Sequence, residues 1–566
     1  MMQVDSEKKK QIGERVKKAI GVKGDFKTAI LPMMNYSFSN IAMSGSGYIV
    51  SMYFTIFLTD VVNFDLKTAG VIVMIATLWD AITDPVMGVI TDRTRSKYGK
   101  HRRYFLWGLP VLFVSYALMW NTFGVFDGQA DKTKAMIYFT IMFMLYKTAY
   151  TIIDVPHTAM LPELAPEYNL RTQYTSMGYM FNSAGMIPAY AITLIVLSIF
   201  KSNDNLTRES QTPFAVIGLV LAIFFSIAVY FTFKLTKEPS SVNMQVPKLD
   251  LKFIINEYVY VFKNRSFRQY FFMSLAYQFA TGFYLTSKVF YIKYLANQYA
   301  MYPIFNIVAG VAESAAFPLN YALTMKYGKK KCGAIVTPIM IIGLGIGLFM
   351  GRSNGGAGAI VWSVLMMLSM ILYPFGMSGL GFVCNNIFPD LTDVDEVITG
   401  RRREGVISTF STLIKKSASG IMAALVTFIM QTFGLVTGNA VQEYEAVNNT
   451  LYPQTDSALW GVRICVAVIP MVATLLALLL LKNFKMSKAD HEMIRAAIAT
   501  KREYGSVELT EEEIKCCEEI SGQKFETTWL GKDNPVGNGN RLERNEEGEY
   551  TILAMIEARN ALANEK

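Results

Sequence analysis

Asp80 and Asp84 stand four residues apart in Trp79-Asp80-Ala81-Ile82-Thr83-Asp84-Pro85, inside a run that otherwise reads as membrane-spanning. Residues at i and i+4 share one helix face, so the two carboxylates and the Thr83 hydroxyl converge. An ionised Asp in hydrocarbon costs about 2.5–3.5 kcal/mol on insertion scales, and intramembrane acids mark ion pathways. Left alone the pair would repel and take up a proton. A small monovalent cation such as sodium would relieve both, and hard cations prefer oxygen ligands of this kind.

Further polar groups lie in other apolar runs. Tyr150-Thr151-Ile152-Ile153-Asp154-Val155-Pro156-His157 places a second acid beside a proline, with Thr151 one turn before Asp154. Ser411-Thr412-Leu413-Ile414-Lys415-Lys416-Ser417 sets two lysines among small residues. Lys415 reads as snorkelling to an interface and Lys416 as facing inward, with Asp80, Asp84 and Asp154 as its acid partners. His157 reads as a helix-packing histidine. Lys288 and Lys293 read as interface anchors near the outer end of their span. The five cysteines have no metal spacing and read as small hydrophobes. No nucleophile–base pair, metal cluster or phosphate loop stands out, so the chain reads as a non-enzyme without a cofactor.

The elements that position these groups follow from hydropathy. The 566 residues are 52% hydrophobic and only 17% charged, against about 25% charged in soluble domains. A spanning helix needs about 20 apolar residues. Twelve candidates run near 35–59, 68–91, 104–123, 135–160, 175–200, 213–234, 268–295, 301–325, 333–351, 358–388, 405–435 and 458–481. The net charge of +9 sits mostly in short loops such as Arg93–Arg103, Lys326–Lys331 and Arg401–Arg403, which is a topology signal and not a nucleic-acid surface. By the positive-inside rule both termini and the central linker are cytoplasmic. Lys97-Tyr98-Gly99-Lys100 after the second span is echoed by Lys326-Tyr327-Gly328-Lys329 after the eighth. The echo points to two six-helix halves around a midplane site, the major facilitator architecture. The expected organisation is an N-terminal segment 1–30, a first half 31–234, a linker 235–267, a second half 268–482 and a cytoplasmic tail 483–566. In the tail, 485–501 reads as a helix, Thr510-Glu511-Glu512-Glu513 as a helix start, 530–548 as loop and 552–562 as a last helix, the whole as a solvated appendage.

Across roughly residues 30 to 482 the chain resembles the glycoside–pentoside–hexuronide:cation symporters. The resemblance is carried by Thr59-Asp60-Val61-Val62, Trp79 to Gly88, Thr94-Arg95-Ser96-Lys97-Tyr98-Gly99-Lys100, Tyr150 to Pro156 and Pro389-Asp390-Leu391-Thr392-Asp393. It implies an all-α membrane protein of twelve transmembrane helices in the cell membrane, taking up a sugar with sodium or a proton. The family's cation site falls on Asp80, Thr83, Asp84 and Thr151, with Thr83 replacing an amide. Its fourth-helix sugar-contacting acid falls on Asp154, and its eleventh-helix lysine, linking cation and sugar, on Lys416. Other sugar-site positions depart from the pattern, falling on Ser44, Tyr179, Thr158 and Gly381, so galactoside specificity does not carry over. Tyr48, Tyr179, Trp362 and Tyr373 could supply apolar platforms. The basic loops Arg93–Arg103 and Lys326–Lys331 are expected to form salt bridges between the halves. Rival readings are a non-sugar cargo on the same scaffold and a membrane sugar sensor signalling through the tail.

Overall fold

A computed structural model describes residues 30–128, 130–165, 168–200, 210–238, 240–242, 260–350, 357–401, 403–448, 452–532, 541–544 and 550–552. Six long helices form the first half: α1 Leu31–Ile49, α2 Leu66–Asp92, α3 Arg103–Met119, α4 Lys132–Leu164, α5 Tyr168–Ile199 and α6 Gln211–Leu235. The second half begins with α7 Arg265–Phe290. The continuous stretch Tyr302–Phe349 breaks at Gly328, whose φ of 81° is left-handed, into α8 (302–327) and α9 (329–349). Then come α10 Ala357–Thr399, α11 Glu404–Thr432, a short α12 Asn439–Asn448 and α13 Asp456–Lys482. Seven helices among the described residues are long and apolar enough to cross a membrane.

Local chemistry sets the starts. Asp65 caps α2 by accepting from the Thr68 amide, and Asn264 caps α7 by accepting from the Phe267 amide. The observed spans lie close to those read from hydropathy, except that α10 runs on to Thr399. Its last turns carry Asp390, Asp393, Asp395 and Glu396, which the hydropathy reading excluded. Each finds a basic partner: Lys329, His491, Arg403 and Arg502 respectively.

Helices of one half pack through small residues, as expected where lipid gives no hydrophobic drive. A Cβ on Gly185 of α5 would lie 2.3–2.8 Å from backbone atoms of Ile41 on α1. The two halves meet through α2 with α11, where a Cβ on Gly70 would strike Thr427 at 2.1 Å. They also meet through α1 with α7. Both α1 and α7 end in π-helical turns, at Val50–Phe54 and Phe57–Val61 in one and Tyr291–Leu295 in the other. Such turns recur at functional places. Here they bring Asp60 to Lys293 in an ion pair that joins the halves, with the Tyr294 hydroxyl donating to the same carboxylate at 3.1 Å. Nearby, the Lys67 amide donates to the Gln431 side chain at 2.9 Å. These links lie at the end opposite the basic loops. Lys293 is thus a partner of Asp60 and not the interface anchor expected from the sequence.

The basic loops hold their own ion pairs. His101 pairs with Glu238 of the linker, and Lys329 pairs with Asp390 within the second half. Glu238 accepts from the His101 ring at 2.8 Å and from the amides of His101 and Arg102. Burial opposes its charge, but these bonds outweigh it and hold its carboxyl below the usual range. A carboxyl lowered on folding stabilises above its unfolded value and loses that effect as pH falls through its folded one. Glu238→Gln is therefore expected to cost about 1–3 kcal/mol at neutral pH. The gap in unfolding temperature from wild type closes as pH drops below 4.5. Thermal unfolding at neutral and acid pH checks this.

The tail is not the solvated appendage read from the sequence. It folds as α14 Lys488–Tyr504 and α15 Glu511–Ser521, each opened by a capping box (Ser487 with Asp490, Thr510 with Glu513) and closed by a left-handed glycine. It then docks on the second half. The amides of Trp529 and Leu530 donate to the Ile398 and Val397 carbonyls at the end of α10, both at 3.1 Å, filling acceptors a helix end leaves open. Ser266 at the start of α7 donates to the Ile520 carbonyl at 2.7 Å. Leu542–Arg544, in the segment 530–548 read as loop, pairs antiparallel with Tyr550–Ile552 just beyond it. The helix expected over 552–562 lies, beyond Ile552, outside the described residues. Burial pushes the Cys516 and Cys517 thiols up to about 12, with Asp490 adding to both.

Candidate functional site

Two helices build the site. Asp80, Thr83 and Asp84 line one face of α2, which runs unbroken through Pro85, and α4 sets Thr151 against them. The Thr151 hydroxyl lies 2.8 Å from Oδ1 of Asp80 and 2.8 Å from Oδ1 of Asp84. Thr83 Oγ1 is 3.4 Å from Thr151 Oγ1 and donates to the Asp80 carbonyl at 3.1 Å. Asp80 is 1% exposed and Thr151 is equally buried, whereas Asp84 and Thr83 are half-buried. One hydroxyl has one proton, so it cannot satisfy two carboxylates at once. The four expected cation-site residues thus come together, two carboxylates and two hydroxyls facing one another.

Sequence reasoning missed two members of this surround. Lys147 of α4 places its ammonium 3.7 Å from Asp80 Oδ2, a long ion pair. Trp79 donates its indole N–H to Thr148 Oγ1 at 2.9 Å, fastening α2 to α4 beside the acids. The signal was present: Lys147 lies one turn before Thr151 in an apolar run, by the same i, i+4 logic that joined Asp80 to Asp84.

The other expected residues are spread more widely. Asp154 is half-buried on α4, in electrostatic contact with Tyr36 and Tyr150. Thr158 donates to the Asp154 carbonyl at 3.0 Å, and Ser44 donates to the Asn182 carbonyl at 2.7 Å. Both hydroxyls thus already have backbone acceptors. Tyr179 lies on α5 and Lys416 on α11, but their side chains fall outside the described residues. His157 packs as expected: its ring stacks on Tyr36 at 4.1 Å and its Nε2 lies 2.9 Å from the Tyr36 carbonyl. Tyr373 is not an open platform. It is 1% exposed and stacked on Tyr284 at 3.6 Å. Lys288, read as an interface anchor, is 2% exposed inside the second half. Rings of Tyr284 and Tyr302 give it cover, each centroid 5.8 Å from Nζ.

Two six-helix halves around buried acids define a multi-pass membrane transporter. The profile of the family described as MFS/sugar transport protein matches residues 35–488, and the chain belongs to that family. Among similar proteins, an uncharacterised symporter of Synechocystis is 23% identical, with 80% of this chain and 94% of that protein aligned. The isoprimeverose transporter of Lactiplantibacillus pentosus is 21% identical over 81% and 89%, and the glucuronide carrier protein homolog of Escherichia coli is 19% identical over 83% and 95%. Among solved structures, a D-xylose–proton symporter superposes with a TM-score of 0.53 at 15% identity, covering 79% of this chain and 97% of its own. The nucleoside transporter NupG gives 0.51 at 13%, covering 81% and 100%. At those identities the likeness is one of fold.

Proposed function

We propose that this chain is a cation-coupled symporter that takes up a glycoside, pentoside or hexuronide by alternating access. The observation that carries the reading is the Thr151 hydroxyl held between two membrane-buried carboxylates. A monovalent cation among Asp80, Thr83, Asp84 and Thr151 offsets their mutual repulsion, and Lys147 is the internal charge that stands in when the cation leaves. Cation binding favours the sugar-binding state, and sugar favours cation retention, as reciprocal linkage requires. Asp154 is the stronger sugar-binding candidate, since Ser44 and Thr158 already bond backbone oxygens. Lys416 and Tyr179 are assigned by resemblance to coupling and sugar contact. The names of the relatives, an isoprimeverose transporter and a glucuronide carrier homolog among them, support a sugar cargo. The charge pattern of the loops supports placing both termini, the linker 235–267 and the tail 483–566 in the cytoplasm, with the halves 31–234 and 268–482 in the cell membrane.

Radiolabelled uptake into vesicles, run on a panel of glycosides, pentosides and hexuronides, tests the reading. A sodium or proton gradient is expected to drive accumulation of at least one of them. Failure of every sugar under both gradients would overturn it.

A further inference from the structure

Glu313 and Lys288 belong to the second half and lie outside the α2–α4 site. Glu313 is half-buried on α8. The Tyr48 hydroxyl of α1 reaches its Oε1 at 3.5 Å, long for a phenol–carboxylate bond, which is ordinarily about 2.5–3.0 Å. Lys288 of α7 is an electrostatic neighbour of Glu313. Among the described residues it makes no contact ion pair and meets the two tyrosine faces instead. The remaining titratable groups facing Glu313 are Tyr190 of α5 and Tyr373 of α10, and Tyr373 carries a buried hydroxyl with no hydrogen-bond partner. Asp80 and Asp84 are not among its neighbours.

An ionised carboxylate at membrane depth is costly unless a cation touches it. Glu313 has two ways to shed that cost. It can turn to Lys288, within the second half, or it can take up a proton and hydrogen-bond Tyr48, across the halves. We propose that Glu313 is a proton-binding site of the second half, separate from the α2 acids, with Lys288 as the basic group that pairs with it once the proton leaves. On release the O–H bond breaks, the proton passes to water, and the carboxylate pairs with the ammonium. Protonation leaves a neutral, weaker hydrogen bond from α8 to α1, and deprotonation draws α8 towards α7. Proton binding is then a second coupled event, whatever ion fills the α2 site.

The test needs no sugar. The purified full chain is reconstituted in lipid with saturating sodium and titrated by infrared difference spectroscopy. A protonated-carboxyl absorption is expected that disappears on raising the pH, in wild type and in Asp80→Asn, but is missing in Glu313→Gln. In Lys288→Met the absorption should persist about 1–3 pH units higher, since an opposing charge has been removed. The proposal is overturned if Glu313→Gln titrates like wild type, if Asp80→Asn alone loses the signal, or if Lys288→Met leaves the midpoint unmoved. Should Glu313→Gln not fold, the Lys288→Met midpoint decides.

Discussion

Asp80→Asn will retain sugar exchange but lose gradient-driven accumulation. The amide keeps the size of the carboxylate and removes the charge that calls for a cation. Its NH2 group also donates hydrogen bonds, and points donors where a cation needs acceptors. Thr151, held 2.8 Å from both acids, can then satisfy Asp84 alone. A coupling free energy of about 1–3 kcal/mol, or about 5–150-fold in apparent affinity, is at stake. Thr151→Val should weaken cation affinity while keeping both charges. The readouts are vesicle accumulation under an imposed gradient and exchange without one. Undiminished accumulation by Asp80→Asn would remove the α2 site from the coupling mechanism.

Lys293→Met is the second large effect. Asp60 is 1% exposed and its ion pair with Lys293 ties α1 to α7. Removing the ammonium takes the contact ion-pair partner from a buried carboxylate, which costs about 3–5 kcal/mol. Thr59 and Tyr294 remain as neutral donors, at 2.7 and 3.1 Å, and cannot replace a charge. A large drop in unfolding temperature is expected for Lys293→Met. Asp60→Asn combined with Lys293→Met should recover most of it, because no lone charge then stays buried. A double variant no better than the single one would show that the lysine acts through packing and not through charge.

The sequence made some of this legible and hid the rest for physical reasons. Helices are local: a run of apolar residues between basic loops announces itself, and the spans followed. Asp80, Asp84 and Thr83 converge by periodicity within one helix. Their approach to Thr151 needs the packing of α2 on α4, which the resemblance supplied and periodicity did not. Lys288 and Lys293 were misplaced because position along a helix does not reveal which face meets another helix. The fate of Asp60 depends on a partner 233 residues away. The last turns of α10 looked too charged for a helix within the bundle, because their basic partners come from α9, from the loop before α11 and from α14. Docking of the tail was invisible for the same reason: its capping signals foretold helices, not where they would rest.

The bond from Trp529 and Leu530 to the end of α10 has a practical side. Anyone shortening this chain after the last span, or attaching a fluorescent reporter there, would strip donors from Val397 and Ile398 and expose the acids that His491 and Arg502 contact. The region after the last span is thus a structural part of the bundle's end and not a free handle.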